Sequence, residues 1–68
     1  MNISLNGQRQ EISGGATLET IIIDITGSPI PVGLAVAVNY EVITRSDWSL
    51  TVLEEDDEIE ILWASAGG

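Results

Sequence analysis

The 68-residue chain contains no cysteine, no histidine and no lysine. Each absence removes a class of chemistry. Without Cys there is no thiol nucleophile, no side-chain persulfide and no soft-metal site. Without His the usual proton acceptor near neutral pH is missing. Without Lys, Gly7, Gly14, Gly15, Gly27 and Gly33 cannot form part of a phosphate-binding P-loop. A self-contained enzyme is therefore not expected. The same absences remove the disulfide and metal staples that small domains often use. A chain this short buries only about 60% of the surface its unfolded form exposes. With 44% hydrophobic residues, its stability has to come from a tidy apolar core.

Positive charge is scarce as well. Eleven acids face only Arg9 and Arg45, for a formal net charge of −9. Residues 1–40 carry three acids and one Arg (−2), whereas residues 41–68 carry eight acids and one Arg (−7). Such a surface repels nucleic acids and anionic membranes, so neither is an expected partner. It suits a protein with a basic face; solubility alone is the bland alternative. No apolar run approaches the length of a membrane span. The opening residues alternate instead of forming a signal peptide, which makes the cytoplasm the expected compartment.

The pattern from the start is that of a small α+β domain. Met1, Ile3 and Leu5 alternate with Asn2 and Ser4, the period of a strand with one buried face. Asn6-Gly7 suits a type I′ turn, and residues 8–12 return as the second strand of a hairpin. Gly14-Gly15 breaks the strand, and Thr17 is placed to cap a helix over residues 18–26. β-branched Ile21, Ile22, Ile23 and Ile25 favour a strand by propensity. Leu18, Ile21, Ile22 and Ile25 nevertheless fall at i, i+3, i+4 and i+7, one helical face, with Ile23 left partly exposed. Pro29 and Pro31 mark a crossing loop.

The unbroken apolar run 34–38 predicts a central strand covered on both faces. Residues 40–44 form a turn and short edge strand, with Val42 and Ile43 returning to the core. Arg45 to Trp48 reads as one helical turn, followed by a connector that buries Leu50 and Leu53. Five successive acids, Glu54-Glu55-Asp56-Asp57-Glu58, predict a solvated turn. Residues 58–63 alternate again: Ile59, Ile61 and Trp63 share one face, Glu58, Glu60 and Leu62 the other. The expected architecture is a mixed four- to five-stranded sheet with one main helix on one face, an order that fits a β-grasp. Residues 1–63 form this domain and residues 64–68 a flexible C-terminal tail.

Three places are candidates for function. The acidic run could attract a hard cation, but it lacks the alternating ligands and mid-loop Gly of a calcium-binding loop, so a solvated turn is the plainer reading. Leu62, ringed by Glu58 and Glu60 on an open face, is a candidate docking point, although single exposed leucines are ordinary. The third place is the uncharged end Ala64-Ser65-Ala66-Gly67-Gly68. Frayed termini are common. A carboxylate that must enter another protein's active site, however, needs a slender arm of this kind. Glycine lacks a Cβ and adopts nearly any backbone conformation, and five residues reach about 16 Å.

The chain resembles the ThiS-type sulfur carrier proteins of thiamine biosynthesis, ubiquitin-like β-grasp proteins of the MoaD/ThiS superfamily. The resemblance covers the whole length. It is carried by the first strand and its Asn6-Gly7 turn, Thr17, Ala37-Val38-Asn39, Val42-Ile43, Arg45, Trp48, the acidic turn, Ile59-Glu60-Ile61 and the closing Ala66-Gly67-Gly68. Two departures stand out: the family usually has a Gly in the acidic turn, where this chain has Glu55-Asp56-Asp57, and its helix is Ile-rich where Leu is commoner.

The resemblance implies that Gly68 is the carrier terminus and that Gly67 and Ala66 give it access. A ThiF-type adenylating enzyme would convert the Gly68 carboxylate to an acyl-adenylate, using ATP and Mg²⁺. A sulfur donor such as a cysteine desulfurase would then yield a thiocarboxylate, which passes sulfur to a ThiG-type thiazole synthase. The chain itself would bind no cofactor and would be a protein co-substrate. The alternatives are a carrier for molybdopterin or cysteine synthesis, a protein-conjugated ubiquitin-like modifier, and a non-reactive β-grasp interaction module.

Overall fold

The computed structural model describes residues 1–28 and 31–63. Elements follow in the order β1 (Asn2–Leu5), β2 (Gln8–Glu11), α1 (Leu18–Thr26), β3 (Leu34–Val38), β4 (Glu41–Val42), a 3₁₀ helix (Arg45–Leu50) and β5 (Glu58–Trp63). The five strands form one sheet in the order β2-β1-β5-β3-β4. β1 and β5 run parallel, and the other neighbours are antiparallel. The mixed sheet with α1 on one face is a ubiquitin-like β-grasp.

Local chemistry explains the element ends. Asn6 and Gly7 both have positive φ, 48° and 84°, as a two-residue type I′ hairpin requires. The Thr17 hydroxyl accepts a hydrogen bond from the Thr20 N–H at 3.3 Å and caps α1. Gly27, at φ 77°, closes the helix in the left-handed region, donating its N–H to the Ile23 carbonyl.

One face of the sheet packs on the helix. Ile3, Val36, Ile59 and Ile61 meet Leu18, Ile21, Ile22, Trp48 and Leu53 in a single buried cluster. Trp48 is the largest member, and its indole Nε1 donates to the Ile43 carbonyl at 3.0 Å. The Arg45 guanidinium lies over the Trp48 ring and donates to the Pro31 carbonyl, tying the crossing loop to the 3₁₀ helix.

Several expectations need correction. β3 is not the central strand: β5 is, with two strands on either side. Nor is β3 covered on both faces, because the described residues hold one α-helix and Ala35 stays exposed on the other side. Alanine's small apolar side chain made the run look two-sided. Val42 is 72% exposed, since its register opposite Ala37 puts it on the face away from the helix; only Ile43 packs on the core. Leu50 is exposed while Leu53 is buried. The 3₁₀ helix continues through Leu50, and its three-residue period turns Trp48 inward and Leu50 outward. Ile25, in the last helical turn, is half exposed, beyond the core that covers Leu18, Ile21 and Ile22.

The Asn39-Tyr40 turn between β3 and β4 repeats the geometry of Asn6-Gly7, with φ of 51° and 68°. Here a tyrosine occupies the position that favours glycine. A left-handed backbone costs an L-residue about 1–2 kcal/mol, while glycine gives back roughly half of that in chain entropy. Tyr40→Gly should therefore raise stability by about 0.5–1 kcal/mol, read as a higher urea midpoint at unchanged slope. Trp48→Phe should lower it by about 1–3 kcal/mol, because the Ile43 carbonyl loses its buried donor. A lowered midpoint for the first, or an unchanged one for the second, contradicts these assignments.

Candidate functional site

β5 carries the tail, and two asparagines hold it. Asn6 lies where β1 has already turned away. Its side chain accepts from the Ile61 N–H at 2.8 Å and donates to the Ile61 carbonyl at 3.3 Å, replacing a missing strand neighbour. Asn39 does the same at the other end. Its backbone N–H donates to the Glu58 carbonyl at 2.7 Å, and its side-chain oxygen accepts from the Glu58 N–H at 3.0 Å. Both asparagines sit in two-residue turns at positive φ, where Asn is tolerated better than most residues.

The acidic turn is more than solvated loop. Asp57 accepts from the Glu54 N–H at 2.8 Å and from the Asn39 amide at 3.0 Å. Glu55 accepts from the Asn2 N–H at 2.6 Å. Asp56 forms an exposed pair with Arg9 at 3.1 Å and has φ 67°. The left-handed position that a glycine would favour thus falls within the acidic turn, and aspartate fills it. Among the described residues, no three acidic side chains gather as a metal site. Asp57 instead caps the backbone that leads into β5, and Glu55 and Asp56 tie the turn to β1 and β2.

On the face away from the helix, strand register brings the predicted docking residues together. Leu62 lies opposite Ala35, Glu60 opposite Ala37, Ala37 opposite Val42, and Glu58 beside Ser4. Leu62 is 69% exposed and Ile61 is buried. Ala35, Ala37, Val42 and Leu62 line a shallow apolar depression of about 70 Å³ with Glu60 at its border. Beside it, Ser4, Asn6, Tyr40, Glu58 and Glu60 line a larger cleft of about 360 Å³. Sequence reasoning did not find Tyr40; an Asn-Tyr pair separating two strands was the available signal.

A depression of about 530 Å³, larger than these two, is elsewhere, bounded by Met1, Glu11, Ile12, Thr20 and Asp24. Parallel pairing of β1 with β5 puts Met1 at the sheet end opposite Trp63. Ala66, Gly67 and Gly68, the predicted carrier residues, lie outside the described residues. No helix of the described residues is long and apolar enough to cross a membrane.

The ThiS family model matches residues 3–68. The chain belongs to the ThiS family. A crystal structure of a thiamine biosynthesis protein, ThiS, from Geobacter metallireducens superposes with a TM-score of 0.78 at 23% identity, covering 100% of both chains. A solution structure of a thiamine biosynthesis protein from the same organism gives 0.76 at 22% identity, covering 100% of this chain and 88% of that one. At such identities the likeness establishes the shared fold. A thiazole synthase from Magnetococcus marinus is 37% identical over all 68 residues, and the chain spans 20% of that protein's length.

Within this ThiS-family surface, Tyr40 offers a spectroscopic handle. The Glu58 carboxylate beside its hydroxyl, followed by Glu60, raises the phenol above its ordinary pKa of about 10. The contact supports the fold fully below the unfolded value and is lost as pH rises through the higher folded one. Tyr40 is the single tyrosine, so phenolate absorbance reports it alone. The titration should lie above the free-tyrosine value and move down toward it in Glu58→Gln. An unchanged curve in that variant contradicts the contact.

Proposed function

We propose that this chain is a sulfur carrier of thiamine biosynthesis and that its reactive group is the carboxylate of Gly68. The observation that carries the reading is the family match, which runs through residue 68 and so includes Gly67-Gly68. Membership in the ThiS family supports the carrier role. The chemistry follows from the poor electrophilicity of a carboxylate. A ThiF-type adenylating enzyme, with ATP and Mg²⁺, transfers AMP to the Gly68 carboxylate and releases pyrophosphate. A sulfur nucleophile, supplied by a donor such as a cysteine desulfurase, displaces AMP and leaves a thiocarboxylate. A ThiG-type thiazole synthase takes the sulfur and regenerates the carboxylate. The Magnetococcus relative supports that last partner, because its matching stretch belongs to a polypeptide named as a thiazole synthase.

In this scheme the domain binds and positions, and the partners catalyse. Leu62 sits in the open-face depression with Ala35, Ala37 and Val42 and offers an apolar contact; Glu58 and Glu60 offer charge to a basic face. Apolar contacts at the centre with charges around them favour affinity and fast encounter respectively. Gly67 and Ala66 keep the arm thin.

Incubation with the adenylating enzyme, ATP and a sulfur donor, followed by intact mass measurement, should show one terminal oxygen replaced by sulfur. Deletion of Gly68 should abolish the change. Attachment to lysines of other proteins instead would identify a modifier, and an unmodified terminus would leave a passive interaction module. Leu62→Glu should weaken binding to the adenylating enzyme roughly tenfold, about 1.4 kcal/mol, with the domain still folded. Unchanged binding rules Leu62 out as a contact.

A further inference from the structure

Trp63 closes β5 and lies outside both the core and the open face. Alternation puts it on the helix side with Ile59 and Ile61. Those two are buried, whereas Trp63 is 56% exposed. Its cross-strand partner Leu34 is itself only partly buried. The other tryptophan, Trp48, is buried in the core. A bulky indole exposed at a strand end is costly to leave in water, and tryptophan is among the residues that most often anchor interfaces.

We propose that Trp63 is a docking anchor that seats this chain at the mouth of the adenylating enzyme's channel, its indole entering an apolar recess on the channel rim. The inference rests on the carrier reading above. The reach of the tail supports it. Five residues follow Trp63, and fully extended they span no more than about 18 Å. When the Gly68 carboxylate is at the reaction centre, Trp63 is therefore within that distance of it, at the channel entrance. Residues 64–68 are Ala, Ser, Ala, Gly and Gly, side chains too small to fix how deeply the arm enters. The nearest group able to set that depth is Trp63. Its neighbour Leu62 points to the opposite face of the same strand, so a rim that grips β5 from both sides meets an apolar side chain on each.

The test uses the full chain, labelled with 5-fluorotryptophan, and its cognate adenylating enzyme. Pyrophosphate exchange should show Trp63→Ala raising the KM for the carrier about tenfold or more with kcat little changed, and Trp63→Phe recovering most of the loss. In fluorine NMR, the Trp63 resonance, assigned by its absence in Trp63→Phe, should shift on adding the enzyme. The Trp48 resonance should stay in place and report an intact core. Equal KM values for wild type and Trp63→Ala overturn the proposal. So does a Trp63 resonance that moves only with the thiazole synthase, or with the concentration of the carrier alone. If the wild type supports no exchange at all, it is the carrier reading itself that fails.

Discussion

The structure depends on how β5 is held. It is the central strand, paired to β3 from Ile59 to Trp63 and to β1 only through Glu58 and Ile59. Past that point Asn6 substitutes for a strand by bonding both polar groups of Ile61, and Asn39 secures the strand's first residue. A central strand is the part of a small sheet that opens last, because leaving it breaks two ladders at once. Glu58, Ile59 and Ile61 are therefore bonded on both sides, whereas Leu62 and Trp63 pair with β3 alone.

This anchoring also sorts the side chains. On β5, Ile59 and Ile61 supply core, Glu58, Glu60 and Leu62 face the open side, and Trp63 stays largely outside. The acids crowded before β5 combine two roles. Some cap backbone groups, as Asp57 and Glu55 do, and all add to the negative field that a basic partner would meet. Tyr40 shows the cost of such a surface. It occupies a strained turn position beside Glu58, at a place where glycine is conformationally easier. Backbone strain retained at an exposed position fits a residue kept for contact rather than stability.

Much of this was legible in the residues. The bounds of α1 and β5, the Asn6-Gly7 turn and the Thr17 cap follow from local periodicity and turn chemistry, which act over a few residues. What local pattern could not supply was strand order. β3 looked central because Ala35 and Ala37 are apolar, although they face away from the helix. Val42 and Leu50 were misplaced because one-residue changes of register or helical period reverse the side a residue faces. The acidic clasp was hidden for the same reason: Glu55 bonds Asn2 across 53 positions of sequence. Of the candidate site, the open face that holds Leu62, Glu58 and Glu60 was readable from alternation. Asn6, Asn39 and Tyr40 became visible only once two hairpins were seen to flank one strand.

On the proposed function, partners grip the open face and the end of β5, not the larger depression at the opposite end of the sheet. Amide shift mapping of the ¹⁵N-labelled chain during titration with the adenylating enzyme tests this most directly. Perturbations should concentrate at Ala35, Ala37, Tyr40, Val42 and residues 60–68. Perturbations centred instead on Met1, Glu11, Thr20 and Asp24, with β5 unaffected, would contradict it.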